Sequence, residues 1–182
     1  MHDTDFHVPA GEANRLAAVH VTDEAGHLQL SDRPELDRLA RPAYLSGGGG
    51  LVSTASDYAR FCQMLLDGGA LGRTQLLSRK TVELMTANHW TSTLDPFPRA
   101  WGFPSGYGMG LGVRSLVNPA QSGLPGSVGE YGWAGAHSTY FWIDPLEQVF
   151  GIFLTQFEPM VLRYGYLFQV LAYQALTAPR SG

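Results

Sequence analysis

A chain of 182 residues that is 45% hydrophobic and 15% charged can bury a core, which excludes an intrinsically disordered segment. A formal charge of -4 and a pI near 5.8 argue against the basic face that a nucleic-acid partner requires. The one cysteine, Cys62, excludes an internal disulfide and a cysteine-based metal site.

Residues 1–46 read as mostly irregular. The opening MHDTDFHVPAGEANR lacks the basic and apolar regions of a signal peptide; a single thiol leaves the compartment open, with cytoplasmic as the default. His2, Asp3, Asp5 and His7 are metal-ligating residue types, but a loose polar terminus gives ligands no rigid frame, and no metal is expected. In RLAAVHVTDEAGHLQLSD, Asp23–Gly26 reads as a turn between two short extended pieces. RPELDRLARPAYLS carries two prolines and reads as loop. So long an irregular stretch implies a segment that lies against other chain.

The glycine run of SGGGGLVSTASDYARF comes next. A phosphate-cradling loop needs Lys-Ser or Lys-Thr after its last glycine, or G-x-G-x-x-G after a strand. Leu51-Val52-Ser53-Thr54 follows instead, so these glycines answer a need for positive φ or close backbone approach. Residues 54–88 read as two helices. Tyr58, Phe61, Cys62, Leu65 and Leu66 form an i, i+3, i+4, i+7, i+8 stripe, with Ser53 or Thr54 as cap and Gly68-Gly69 as stop. Cys62 sits on that stripe and reads as a core thiol. The second helix opens at Ser78, with Leu77 and Val82 as a hydrophobic staple, and runs to about Asn88.

TSTLDPFPRAWGFPSG reads as loop, and residues 106–157 as antiparallel strands. In GYGMGLGVRSL, Tyr107, Met109, Leu111 and Val113 alternate with Gly106, Gly108, Gly110 and Gly112, which predicts one strand with a bare face against another layer. HSTYFWID and QVFGIFLTQ, joined by Asp144-Pro145-Leu146-Glu147, predict a hairpin. Residues 163–177 are apolar nearly all round and predict a well-buried final helix. The fold class is therefore α+β, an antiparallel sheet with helices packed on it. No apolar run approaches the roughly 18 residues of a membrane span.

SGGGGLVSTASDYARFCQMLLDGG, LLSRKTVELMTANH, GYGMGLG and GWAGAHSTYFWIDP, taken in that order, resemble the C-terminal half of the serine β-lactamase-related family. The nearest branch is the esterases that share the class C β-lactamase and penicillin-binding-protein fold. The resemblance implies a partial β-lactamase/transpeptidase-like fold and an activated-serine mechanism. In that mechanism an S-x-x-K serine attacks a carbonyl, Lys and Tyr manage protons, and backbone N–H groups face the oxyanion. By the resemblance, Trp133-Ala134-Gly135 stands where the family's third motif lies on a sheet edge strand. The Ala136 N–H would be an oxyanion donor and Gly135 would let backbone approach substrate. Trp133 in place of the motif's lysine tilts the activity from β-lactams toward simple esters. Ala134 departs mildly from the family's threonine or glycine. His137, two residues past Gly135, is a candidate pocket contact whose alternative is a plain polar strand residue.

The family's first motif has no counterpart. The chain has a single lysine, Lys80, with Leu77 three residues before it, and no tyrosine opens a Y-x-N. The resemblance then implies that this chain is the C-terminal portion of one β-lactamase-like domain, inactive alone, with the nucleophile in a preceding half. A substitute triad fails on geometry: adjacent strand residues His137 and Ser138 point to opposite faces, and Gly126-Ser127-Val128-Gly129 is not G-x-S-x-G. Of Trp101, Trp133 and Trp142, only Trp133 is expected near a site, with Trp142 in the core. The implied partners are a small ester or amide in the complete enzyme and a chain carrying the missing half, or a homo-oligomer. No cofactor, metal or nucleic acid is implied. The alternative is a non-catalytic binding or structural fragment that pairs through an open sheet edge.

Overall fold

The computed structural model describes residues 1–32, 38–90 and 104–178. A short 3-10 helix, Ala10–Arg15, precedes a hairpin of β1 (His20–Thr22) and β2 (Leu28–Leu30). Asp23 organises the turn between them, its carboxylate accepting the Ala25 and His27 N–H groups at 2.9 and 2.8 Å. α1 (Ala55–Leu66) is capped by Thr54, whose hydroxyl accepts the Asp57 N–H at 3.3 Å, and it ends on Gly68 and Gly69, both at positive φ. A two-residue ladder of β3 (Ala70–Leu71) and β4 (Thr74–Gln75) leads to α2 (Arg79–Thr86), capped by Ser78.

β5 (Tyr107–Met109), β6 (Arg114–Leu116), the short α3 (Pro119–Ser122), β7 (Tyr131–Ala134), β8 (Tyr140–Asp144) and β9 (Val149–Phe153) follow. These five strands form one antiparallel meander in chain order, and α4 (Arg163–Gln174) closes the described fold. Among the described residues no helix is long and apolar enough to cross a membrane.

The single strand expected over Gly106–Val113 is instead a tight hairpin. Gly110 N–H donates to Val113 O at 2.7 Å, and Gly112 takes φ +81°, so the chain reverses between β5 and β6. A bare-faced strand and a glycine turn share the same alternation, which is why the pattern misleads. The bare face is packed, as read: a Cβ on Gly108 would overlap the Asn88 side chain, and one on Gly110 would overlap the Met85 carbonyl. That segment also closes the β5 edge, through His89 N–H to Met109 O at 2.7 Å.

The sheet has helices on both faces. Tyr131, Phe141 and Ile143 point to α1 and join Cys62, Met64, Leu65, Val82 and Val113 in the core. Tyr140, Trp142 and Asp144 alternate to the opposite face, where Trp142 stacks near Tyr140 and Tyr173 and meets Phe168 edge-on. Burial lifts the Cys62 thiol to about 12, which keeps it protonated and inert.

α4 corrects the expectation of burial all round. Gly165 and Gln169 are its buried residues, while Tyr164, Leu167 and Leu171 lie exposed and the Phe168 ring, partly exposed, flanks Trp142 and Phe153. The opening residues correct the expectation of a loose terminus. Asp5 and Val52 exchange backbone hydrogen bonds, and the Asp57 carboxylate accepts the Asp3 N–H at 2.7 Å and the Thr4 hydroxyl at 2.9 Å. Burial raises the pKa of Asp57, but these donors outweigh it and hold the carboxyl below its ordinary range. The Phe6 ring packs on Gly50, whose φ is +103°. The glycine run thus needs its positive φ at its last residue, against the N-terminal segment.

Candidate functional site

β7 carries the candidate motif, and three features of sequence place it. Gly132 lets β7 and β8 close up, Trp133 returns its ring to the edge of the α1-side core, and Gly135 ends the strand. β7 is the middle strand of the five, not an edge strand, which corrects the family-based expectation. Its C-terminal half outruns its neighbour, though. The register with β6 stops at Arg114↔Gly132, whereas that with β8 continues to Ala134↔Tyr140.

The chain then turns over Gly135–Thr139. Ser138 N–H donates to Gly135 O at 3.1 Å, and Gly135 N–H donates to Thr139 O at 2.9 Å. A Cβ on Gly135 would meet the Thr139 hydroxyl, so the Thr139 side chain packs closely over this glycine. Ala136 occupies the first central position of the turn, and its N–H donates to no described residue. Ser138 takes φ +66° and is buried, its hydroxyl donating to Phe157 O at 3.0 Å and accepting the Val161 N–H at 2.8 Å. It is tied into the scaffold and turned from solvent. Asp144 lies at the far end of β8, where it accepts the Ser127, Leu146 and Glu147 N–H groups. Neither residue joins His137 in a triad.

What does meet His137 is Glu158. His137 Nδ1 lies 2.9 Å from Glu158 Oε1, with both side chains mostly buried. The N–H axis is not aligned on the oxygen, so the two side chains stand in close polar contact without a directed hydrogen bond. The His137 carbonyl accepts the Phe157 N–H at 3.1 Å and the Thr155 hydroxyl at 2.9 Å. Glu158 N–H in turn donates to His20 O at 2.9 Å. The loop after β7 is therefore laced to the segment after β9, and that segment to β1. Nothing local in the sequence signals this pairing.

Trp133, Ala134, Gly135, Ala136 and His137 all line one open cleft of about 2140 Å³, which Gly47–Gly50 line as well. The cleft rim is ionic. Arg15 donates to Asp3 at 2.6 Å and to Glu12 at 3.0 Å, which holds the Asp3 carboxyl below its ordinary range and the guanidinium above its own. Among the described residues no three His, Cys, Asp or Glu side chains gather as a metal ion would need. Trp142 is in the core, and Trp101 and most of its loop, like residues 33–37, fall outside the described residues.

The site is thus a Trp-Ala-Gly strand end that opens on a cleft, in an antiparallel meander backed by helices on both faces. Residues 1–174 match the family model described as Beta-lactamase, and the chain belongs to that family. It is similar to Protein Rv1367c of Mycobacterium tuberculosis (strain ATCC 25618 / H37Rv), 33% identical over 163 residues, covering 87% of this chain and 40% of that protein. The chain therefore spans about two fifths of that relative's length. Two solved structures share the fold over about half of their own chains. EstCE1, a hydrolase with promiscuous acyltransferase activity, matches at TM-score 0.74 and 23% identity over 93% of this chain and 46% of its own. Simvastatin synthase (LovD) from Aspergillus terreus matches at TM-score 0.77 and 18% identity over 97% and 47%. A third, the octameric penicillin-binding protein homologue from Pyrococcus abyssi, matches at TM-score 0.63 and 17% identity over 96% and 34%.

Proposed function

We propose that this chain is the third-motif half of a serine hydrolase of carboxylesterase type. In this reading the Ala136 N–H is an oxyanion donor, and Trp133, Ala134, Gly135 and His137 wall the substrate's side of the cleft. The attacking serine with its Lys and Tyr belongs to another half of the domain. The observation that carries the reading is the Ala136 N–H, without an acceptor among the described residues, on a turn held rigidly at the cleft wall. A fixed backbone donor placed where charge develops is what acyl transfer requires. Trp133 offers an aromatic surface and no cation, which suits an uncharged ester better than a carboxylate-bearing β-lactam. EstCE1, a hydrolase with promiscuous acyltransferase activity that shares this fold, supports the same chemistry.

The chain alone should not turn over a short-chain nitrophenyl ester, and co-production with an S-x-x-K half from a relative should restore turnover. Ala136→Pro removes the donor at a turn position that proline fits. It should lower kcat of the restored enzyme by about 10²–10³. Hydrolysis by the isolated chain, or full activity in Ala136→Pro, would reject this assignment.

The partner expected for the fold is favoured by a separate observation. Tyr164, Leu167 and Leu171 lie exposed at i, i+3 and i+7 on α4, and β9 has β8 as its one ladder partner among the described residues. In this reading the complementary half of the domain covers both. In its absence, a second copy would. Light scattering of the isolated chain should report a dimer or larger, and Leu167→Glu with Leu171→Glu should return it to a monomer. A wild-type monomer would count against an apolar interface on this face.

A further inference from the structure

Between the sheet and α4 lies a buried polar cluster that the proposed chemistry does not use. Its hydrogen-bond directions follow from donor inventory alone. Arg114 can only donate, and it gives hydrogen bonds to the Tyr140 hydroxyl and, at 3.3 Å, to the Tyr166 hydroxyl. Tyr140 must then spend its own proton on Gln169 Oε1, at 2.6 Å. That fixes the Gln169 amide, whose Nε2 donates to Glu130 Oε2 at 2.8 Å and to Pro125 O at 3.3 Å. On the other carboxylate oxygen, Glu130 Oε1 accepts the Tyr107 hydroxyl at 3.0 Å.

The count then fails by one proton. Tyr173 has a single hydroxyl hydrogen, yet its oxygen lies 2.7 Å from Asp144 Oδ2 and 3.0 Å from Glu130 Oε2. One hydrogen shared between two carboxylates would leave both contacts weak and two buried negative charges side by side, whereas a carboxyl that brings its own proton completes both. Asp144 is already an acceptor for three backbone N–H groups, whereas no backbone N–H reaches the Glu130 side chain among the described residues. The charge count agrees. Among the described residues, Arg114 is the buried cation of this cluster and Glu130 and Asp144 are equally inaccessible, so one guanidinium faces two carboxyls.

We propose that Glu130 is held in the folded chain as a neutral carboxylic acid, donating its proton to Tyr173 and so latching α4 to the sheet, and that loss of this proton loosens the helix. The relay runs Glu130 Oε2–H to Tyr173 Oη, and Tyr173 Oη–H to Asp144 Oδ2. The groups that face Glu130 are Tyr107 from β5, Arg114 from β6, Tyr140 from β8 and Gln169 and Tyr173 from α4, with Asp144 reached through Tyr173 and Tyr166 through Arg114. Burial pushes the Glu130 carboxyl up to about 7, against the opposing pull of the Tyr107 and Tyr173 hydroxyls, Arg114 and Gln169. Burial also raises Tyr107, Tyr140, Tyr166 and Tyr173, so these phenols stay protonated. A carboxyl raised on folding stabilises fully below its unfolded value. That contribution is lost as pH rises from about 4.5 to about 7, and little changes beyond.

The test is unfolding of the chain by denaturant between about pH 5 and about pH 8, wild type against E130Q. An amide at this position offers one accepting oxygen where Glu130 offers two, so E130Q is weaker by a constant amount and the readout is the slope. The wild-type unfolding constant should rise roughly fiftyfold more than that of E130Q across this range. Protection of α4 amides, corrected for intrinsic exchange, should fall in step. Parallel pH profiles for the two proteins would overturn the latch. Should E130Q not fold, infrared spectra of the wild type decide. A protonated-carboxyl carbonyl band still present at about pH 6, where ordinary carboxyls are ionised, and absent at about pH 8 supports the latch, and its absence at about pH 6 rejects it.

Discussion

Gly132→Ala is expected to destabilise the chain by about 3 kcal/mol, a large loss for the addition of one methyl group. The new Cβ would overlap the Phe141 carbonyl oxygen and lie 2.9 Å from Trp142 Cα. Every atom in its way is β8 backbone, so no side chain can swing aside. The β7–β8 ladder, Tyr131↔Ile143 through Ala134↔Tyr140, has to open instead. Because the Gly135–Thr139 turn hangs on that ladder, the Ala136 N–H would move with it. Gly49→Ala is the control, since an added Cβ there meets nothing within 4 Å and no positive φ is required. It should stay within about 0.5 kcal/mol of wild type. Denaturant unfolding of the two variants side by side is the check, and equal midpoints would contradict the packing described.

The second large effect is expected at Trp142. Its side chain is 1% exposed, with ring centroids 5.7 Å from Tyr140, 5.5 Å from Phe168 and 6.3 Å from Tyr173. The indole lies directly over Gly151, where any Cβ would enter the ring. Trp142→Ala should cost about 3–5 kcal/mol, because the hole is walled by sheet on one side and by aromatic rings on the other, which cannot collapse into it. Against a total stability of roughly 5–15 kcal/mol, that leaves a large unfolded fraction. Trp142→Phe should recover part of the loss. The indole N–H has no acceptor among the described residues, so the substitution forfeits volume but no hydrogen bond. Near-ultraviolet circular dichroism and denaturant midpoints measure both, and a Trp142→Ala protein as stable as wild type would exclude this core.

Much of this was written locally. The stripe on α1, its Thr54 cap and its Gly68-Gly69 stop depend on neighbours three and four residues apart. The β8–β9 hairpin follows from alternation around Asp144–Glu147. The candidate wall, Trp133 to His137, is contiguous, so a motif reading reaches all of it at once. The misreadings share one cause. Alternating glycines suit both a packed strand and a turn, and only the Met85 and Asn88 neighbours separate the two around Gly110. α4 is apolar on most sides, yet the face it buries is the one with Gly165 and Gln169. A small residue is needed there because a Cβ on Gly165 would lie 2.9 Å from Tyr140 Cβ.

The amino-acid order by itself determined the helices, their caps, the hairpin, the core identity of Cys62 and Trp142, and the membership that four ordered motifs imply. Folding alone decided that Glu158 stands beside His137, that Ser138 is tied into the scaffold, and that Glu130 shares Tyr173 with Asp144. The reason is range. Caps and periodicities are settled within a turn or a strand, whereas these partners lie 19 to 43 positions apart and meet only when sheet and helix close on each other.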